Sequence, residues 1–455
     1  MQKSWLQKKL ERSLAFFAGR ILKKYYPDII AITGSVGKTS AKEAIYTTLS
    51  GLHSVRRSQG NYNNEIGLPL TIIDCDSGGK NPIAWFKVFT KAIKLITRTK
   101  PFPEILVLEM AADHPGDIEY LSSLAPPRVS IITAISPVHM EFYDDIKQVA
   151  REKRILAEQT DEDGYAILNA DDPEVIKFRD HTSARVLTYG FSEQADIRAE
   201  SMAIQYQKRE GKSSLPQATG VTYQLRFENK TVPVTLNGAV GKPAILASLA
   251  GAAIGLIYGK ELTEVAKSLA HFRPPKGRLR LLEGQGETMI IDDSYNASPK
   301  AVLVALELLN TLSQDLKSQL GSPKLKKSQT IESVRFLRRI AVLGDMAELG
   351  GYSTQGHTEV GLACAGQVDL LITVGKEART IAKAALAEGL PESKIQSFDN
   401  SDQAGSFLKN ELNKHDLVLV KGSQAARMEK VVKKILAYPD QADELLVRQG
   451  AGWGS

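Results

Sequence analysis

A chain of 455 residues exceeds what one compact core accommodates and predicts two or three domains; at 43% apolar and 24% charged, its composition is that of an ordinary globular protein. The net charge of +6 is concentrated: residues 1–27 carry seven Lys and Arg against one Glu, residues 317–339 another seven against one Glu, and the mildly acidic remainder argues against a nucleic-acid-binding stripe. Cys75 and Cys364 stand in no metal or redox spacing and point to a reducing compartment, the cytoplasm, and no apolar run approaches the roughly 18 residues of a membrane span.

Trp5, Leu6, Leu10, Leu14, Phe17, Ile21 and Leu22 recur at helical spacing with Lys and Arg between them, predicting a basic amphipathic helix within residues 1–27. Such a helix either rests on an anionic membrane surface or packs on the next domain with its basic face in water. No small-residue cleavage site follows it, so it does not read as a signal peptide. The apolar run Ile29–Ile32 then enters Thr33-Gly34-Ser35-Val36-Gly37-Lys38-Thr39-Ser40, followed by helix formers. Strand, glycine loop and helix in that order make a phosphate-binding loop. Gly34 and Gly37 let the backbone turn its N–H groups onto phosphate oxygens; Lys38 reaches the β/γ-phosphates and Thr39 holds Mg²⁺. Ile32 stands where the standard motif has its first glycine.

From 28 to about 180 strand and helix alternate as in a doubly wound parallel sheet, with buried strands at 105–110 and 129–135. Glu109 and His139 fall at or just past strand ends, where such sheets bind ligands and where Thr39 also lies. Residues 186–238 read as antiparallel strands with a Gly/Ser turn, and 244–258 as a buried helix. Phe272-Arg273-Pro274-Pro275-Lys276-Gly277-Arg278 marks a boundary. Beyond it, strands at 289–292, 340–343, 370–374 and 417–420 alternate with helices in a second α/β unit, and the Lys/Ser-rich stretch 313–334 reads as a mobile surface insertion.

Several motifs then occur in a fixed order over some 400 residues. The shortened phosphate loop is followed by Gly60-Asn61-Tyr62-Asn63-Asn64-Glu65-Ile66-Gly67, by Leu108-Glu109-Met110 with Pro115-Gly116-Asp117-Ile118, and by Ser136-Pro137-Val138-His139. Val149-Ala150-Arg151-Glu152-Lys153, Lys276-Gly277-Arg278 and Asp292-Asp293-Ser294-Tyr295-Asn296-Ala297-Ser298-Pro299 come next, then Gly344-Asp345-Met346-Ala347-Glu348, His357 and Lys421-Gly422-Ser423. This series resembles the Mur ligase family, which joins amino acids to carboxylates in cell-wall precursors and folates, and most of all its D-alanyl-D-alanine-adding branch.

The resemblance implies an α/β fold in which residues 28–272 form a central P-loop ATPase domain. That domain has a parallel sheet with helices on both faces and a small antiparallel part, and residues 273–455 form a Rossmann-like C-terminal domain. It implies ATP and two Mg²⁺ ions, with Thr39, Glu109, His139 and a carbamylated Lys153 as metal ligands and Lys38, Lys153, His139 and Arg278 as catalytic groups. Gly34, Ser35, Gly37, Lys38, Thr39, Ser40, Arg278, Asp293, Tyr295 and Asn296 would bind the nucleotide. Asn61, Asn63, Asn64, Asp345, Glu348, His357, Lys421 and Ser423 would line the substrate site. The implied enzyme is an ATP-dependent ligase that adds D-Ala-D-Ala to a muramoyl-peptide carboxylate through an acyl phosphate. It is expected to be a monomer with small-molecule substrates and no nucleic acid.

Two departures qualify this expectation. Pro243 and Ala247 replace the family's His and Asn after Gly241, and only about 27 residues precede the ATP domain where the branch has a domain gripping uridine diphosphate. The second departure favours a different or lipid-linked acceptor, with residues 1–27 touching a membrane. The first is the support for a non-catalytic ATP-binding protein on the same scaffold.

Overall fold

The computed structural model describes residues 4–138, 140–207, 216–320 and 337–450. Helix α1 (Trp5–Tyr25) starts at Ser4, whose hydroxyl accepts from the Gln7 N–H, and leads into β1 (Asp28–Thr33). The β-branched run of β1 is buried throughout, as a strand covered on both faces requires. Next come α2 (Lys38–Leu49), β2 (Val55–Arg57), α3 (Gly67–Ile73), α4 (Pro82–Thr97), β3 (Ile105–Glu109), α5 (Asp117–Leu124), β4 (Val129–Ile132), α6 (Ile146–Glu158), β5 (Tyr165–Asn169) and β6 (Arg185–Gly190). Strands β7 (Ile197–Gln207), β8 (Gln217–Phe227) and β9 (Lys230–Asn237) extend the sheet, whose order is β2-β3-β1-β4-β5-β6-β7-β8-β9. Strand β1 lies between β3 and β4, parallel to both, so the crevice at its carboxyl end is the topological switch point.

Helix α7 (Gly241–Ile257) is rich in Ala and Gly and almost wholly buried, matching the helix expected at 244–258. Its Gly251 lies so close to the Ala44 backbone that a Cβ there would sit 3.0 Å away, which lets α7 pack tightly on α2. Helix α8 (Leu262–Leu269) closes this half.

The second sheet runs β10-β11-β15-β12-β13-β14, built from β10 (Arg280–Glu283), β11 (Met289–Asp293), β12 (Arg339–Gly344), β13 (Leu370–Val374), β14 (Ile395–Phe398) and β15 (Leu417–Lys421). All pairs are parallel except β10 with β11. It carries α9 (Pro299–Leu320), α10 (Ser353–Cys364), α11 (Arg379–Ala387), α12 (Ser401–Glu411) and α13 (Glu429–Ile435). The α/β fold with a parallel-dominated first sheet, a small antiparallel part and a second α/β unit is the expected one.

Two expectations need correction. Strand β6 is parallel to both β5 and β7, so the antiparallel part begins only at the β7–β8 pair; the Val186–Gly190 run continues the doubly wound sheet. Residues 313–320, assigned to a surface insertion, complete α9, where Leu312 and Leu316 are buried one turn apart. Residues 321–336 and the Gly/Ser turn at 208–215 lie outside the described residues.

Candidate active site

After Thr33 the chain must turn sharply into α2. Gly34 (φ 144°) and Gly37 (φ 90°) adopt backbone conformations that favour glycine, and a Cβ on Gly34 would collide with the Thr133 hydroxyl. Thr133, just past β4, donates to the Val36 carbonyl at 2.6 Å, the Ser35 N–H donates to Ala134 O at 2.7 Å and Ser35 Oγ donates to Ser136 O at 3.0 Å. Asn169 braces the arrangement by donating to Thr133 O at 2.7 Å. Gly37 caps α2 without a side chain, so among the described residues no side chain caps the first N–H groups of the helix, which carries Lys38, Thr39 and Ser40 on its first turn. That is an anion seat. Lys38 Nζ donates to its own loop at Gly34 O, 2.6 Å away, and burial holds its amine below the usual lysine range, with Glu109 opposing the shift.

Glu109, at the end of β3, is the buried carboxylate of this crevice. Thr39 Oγ1 donates to it at 3.1 Å, Asn63 Nδ2 donates to it at 3.2 Å, and the ammonium of Lys42 lies 3.5 Å away. Burial pushes its pKa up, but Lys42, Lys38 and Arg278 together prevail and hold it below the ordinary carboxylate range. A charged carboxylate and a hydroxyl side by side at the head of a phosphate loop are hard oxygen donors of the kind Mg²⁺ takes. Lys153 on α6 is 2% exposed, and burial, reinforced by Lys38, pushes its amine down to about 7. Its neighbour Glu152 accepts the N–H groups of Gly116 at 2.9 Å and Ile118 at 2.8 Å, fixing the start of α5 beside α6. His139 lies outside the described residues.

The second half of the chain supplies the opposite wall. Arg278 follows Gly277 (φ 68°), its guanidinium 4.1 Å from the Tyr295 ring centroid. Its buried Nε has no hydrogen-bond partner among the described residues, and its charge acts on both Lys38 and Glu109. A cation whose charge reaches both the loop lysine and the buried carboxylate suits a phosphate seated at the loop. The Tyr295 hydroxyl donates to Asn61 Oδ1 across the gap between the two halves. Between them lies a cleft of about 800 Å³, lined by Asn61, Tyr62 and Ser77 on one side and Lys276, Tyr295 and Arg448 on the other.

Other expected site residues have internal partners. Asn64 Oδ1 accepts from the Gly67 N–H at the start of α3, at 2.9 Å. Asp293 accepts from Lys421 and from the Leu279 N–H at 3.2 Å, while Lys421 also donates to the backbone carbonyl of exposed Asn296 at 3.0 Å. His357 is buried, its Nε2 accepting from the Met346 N–H at 3.1 Å and its Nδ1 paired with Ser353 O at 2.8 Å. Asp345 accepts from the Ala378 N–H at 2.7 Å, and its carbonyl accepts from the Ser423 N–H at 2.9 Å. Asp345, His357, Lys421 and Ser423 thereby hold together the loops at the carboxyl ends of β11, β12 and β15. Glu348 is exposed on a left-handed turn of the same rim.

Sequence reasoning missed three contributors. Lys42 could have been found as the lysine one turn after Lys38 on α2. Lys300 crosses between the halves to Ile135 O at 3.1 Å and Asp172 at 3.2 Å. Arg448 donates to the carbonyls of Ser294 and Tyr295 and ion-pairs with buried Glu429 at 3.0 Å. Neither of these long-range partnerships leaves a local signal.

Two family descriptions match the chain: the Mur ligase middle domain over residues 90–241, and the Mur ligase glutamate ligase domain over residues 326–424. The UDP-N-acetylmuramoyl-tripeptide–D-alanyl-D-alanine ligase of Mycobacterium tuberculosis is 30% identical over 427 residues, 90% of this chain and 73% of that one. Its Bacillus subtilis counterpart is 27% identical over 412 residues, 90% of this chain and 76% of the other. The crystal structure of the MurF ligase from Thermotoga maritima in complex with ADP superposes with a TM-score of 0.71 at 26% identity, covering 95% of this chain and 84% of that one. The chain belongs to the Mur ligase family.

Proposed function

We propose that this Mur ligase forms an amide bond at the expense of ATP, adding D-alanyl-D-alanine to the free carboxylate of a UDP-N-acetylmuramoyl-tripeptide. The observation that carries the reading is that Arg278, from the second half of the chain, acts electrostatically on both Lys38 of the phosphate loop and the buried Glu109, while its neighbour Tyr295 is bonded to Asn61 of the first half. The names of its relatives point to these two substrates.

The substrate carboxylate attacks the γ-phosphorus of ATP; a C–O–P bond forms and ADP leaves. The neutral amine of the dipeptide then attacks the acyl carbon, phosphate leaves with the C–O electron pair, and the amine loses a proton to solvent. Lys38 and Arg278 offset negative charge on the phosphoryl group as it transfers. The loop N–H groups hold the remaining phosphates. Asn63 and Lys42 keep Glu109 ionised and oriented. Thr39 and Glu109 would hold one Mg²⁺, and His139 with a carbamylated Lys153 a second; bound there, the metal neutralises phosphoryl charge. Tyr295 and Lys300 bridge the two halves, and that closure excludes water from the acyl phosphate. Incubation with ATP, Mg²⁺, UDP-muramoyl-tripeptide and D-Ala-D-Ala, followed by mass spectrometry, is expected to yield the pentapeptide product and ADP. ADP without that product overturns the substrate assignment.

A further inference from the structure

Away from the cleft, α1 and α4 build a surface that the ligase chemistry does not use. Both helices lie on the same buried cluster, to which α1 contributes Leu14, Ala18 and Ile21 and α4 contributes Val88, Ala92 and Leu95. Phe17 and Phe89 meet between them with ring centroids 5.6 Å apart, and Lys24 Nζ donates to the carbonyls of Leu95, Ile96 and Arg98 at the end of α4. The two helices therefore run side by side in the same direction.

Their opposite faces point outward. On α1, Trp5, Lys9, Arg12, Phe16, Arg20 and Lys23 follow one another at steps of three or four and form one stripe opposite the buried one. On α4 the outward residues are Ile83, Phe86, Lys87, Ile93 and Lys94. Trp5 is 70% exposed, Phe16 61%, Ile83 67% and Phe86 71%. The Lys9 ammonium stands 5.1 Å from the Trp5 ring and the Arg20 guanidinium 5.9 Å from that of Phe16. Helix α1 holds six Lys and Arg and α4 three, against the one acidic residue Glu11.

We propose that this two-helix face lies in the interface of an anionic lipid bilayer, with its aromatic and aliphatic side chains in the headgroup region and its cations on lipid phosphates. A second copy of the chain would set cation against cation on this face, and a nucleic acid would leave Ile83, Phe86 and Ile93 without an apolar partner. No helix among the described residues is long and apolar enough to cross a membrane, so the contact is parallel to the surface. The cleft lies close by: Ser77, on its wall, donates its N–H to the Tyr62 hydroxyl at 2.7 Å and precedes by four residues Asn81, the cap of α4. The inference places the enzyme and does not rest on which carboxylate it ligates.

The test is flotation of the full chain with phosphatidylcholine vesicles, with and without phosphatidylglycerol. The wild-type chain is expected to float with the anionic vesicles, to leave them as salt is raised, and to bind neutral vesicles far more weakly. Phe86→Glu combined with Ile93→Glu should lower partitioning roughly tenfold or more, because two buried apolar contacts become repelled charges. Both side chains are exposed, so the melting temperature and ATP turnover without vesicles should be unchanged. A wild-type chain that stays at the bottom of the gradient overturns the proposal, as does a double variant that floats as well as wild type. A dimer in solution that Phe86→Glu dissolves would assign the face to a second copy instead.

Discussion

The sharpest consequence of the site concerns Lys153. Burial, with Lys38 adding to it, brings its amine from the usual 10.5 down to about 7. Only a neutral amine attacks CO₂, and at pH 7.5 an ordinary lysine is neutral in about one molecule in a thousand, while Lys153 is neutral in about three of four. The reactive form is thus enriched by roughly two to three orders of magnitude by the surroundings alone. Carbamylation of that neutral amine would place an anion near Lys38, replacing repulsion by attraction, and would supply a metal ligand. Lys153→Arg keeps a cation of similar reach that CO₂ cannot modify. We expect it to lower ligase turnover by about a hundredfold or more, as loss of an electrostatic contribution to phosphoryl transfer does. Wild-type enzyme stripped of bicarbonate should lose activity and regain it on addition, whereas Lys153→Arg should respond to neither change. With ¹³C-bicarbonate, a carbamate signal should appear in wild type and be absent from the variant. Full turnover by Lys153→Arg, with or without bicarbonate, would refute the reasoning.

Three further outcomes follow from the geometry. Lys38→Ala should abolish ATP turnover with the melting temperature nearly unchanged, because the hydrogen bond that Nζ makes among the described residues is to its own loop at Gly34 O; normal turnover would sink the loop assignment. Tyr295→Phe removes the bond to Asn61 while keeping the ring under Arg278, and losing about 1 kcal/mol from closure should lower kcat by roughly fivefold; steady-state kinetics reads this, and an unchanged kcat would deny the closure role. Asp292 is fully buried, with one oxygen lacking a partner among the described residues, and burial raises its carboxyl to about 6. A raised folded-state value means that the stability contribution is complete below the unfolded value of about 3.8 and lost as pH rises through 6. Asp292→Asn should therefore stabilise the protein at pH 8 and leave it unchanged near pH 3.5, as denaturant melts at the two pH values would reveal.

What was legible in the sequence was local and periodic. The run Ile29–Ile32 before Gly34 and Gly37 specifies strand, turn and helix by itself, and the apolar stretch in 244–258 can only be a buried helix. Glu109 was found because a polar residue ending a buried strand stands at a crevice. Helix α4 went unread because its outward Ile83, Phe86 and Ile93 blur the contrast between faces on which helix recognition depends. Strand β6 was grouped with the antiparallel strands because strand direction leaves no trace in alternation. The Asp293–Lys421 pair joins residues 128 apart in sequence, so two residues expected to meet ligands became each other's partner, a fact visible only once β11 and β15 are adjacent. The same holds for His357, whose two ring nitrogens brace the Met346 loop.

The most direct test of the account is phosphate release from ATP, with Mg²⁺ and bicarbonate, on UDP-muramoyl-tripeptide with and without D-Ala-D-Ala. We expect sustained release only when both substrates are present, one phosphate for each pentapeptide formed. Release at the same rate with neither substrate, or none with both, would contradict the claim that this enzyme joins that carboxylate to that amine.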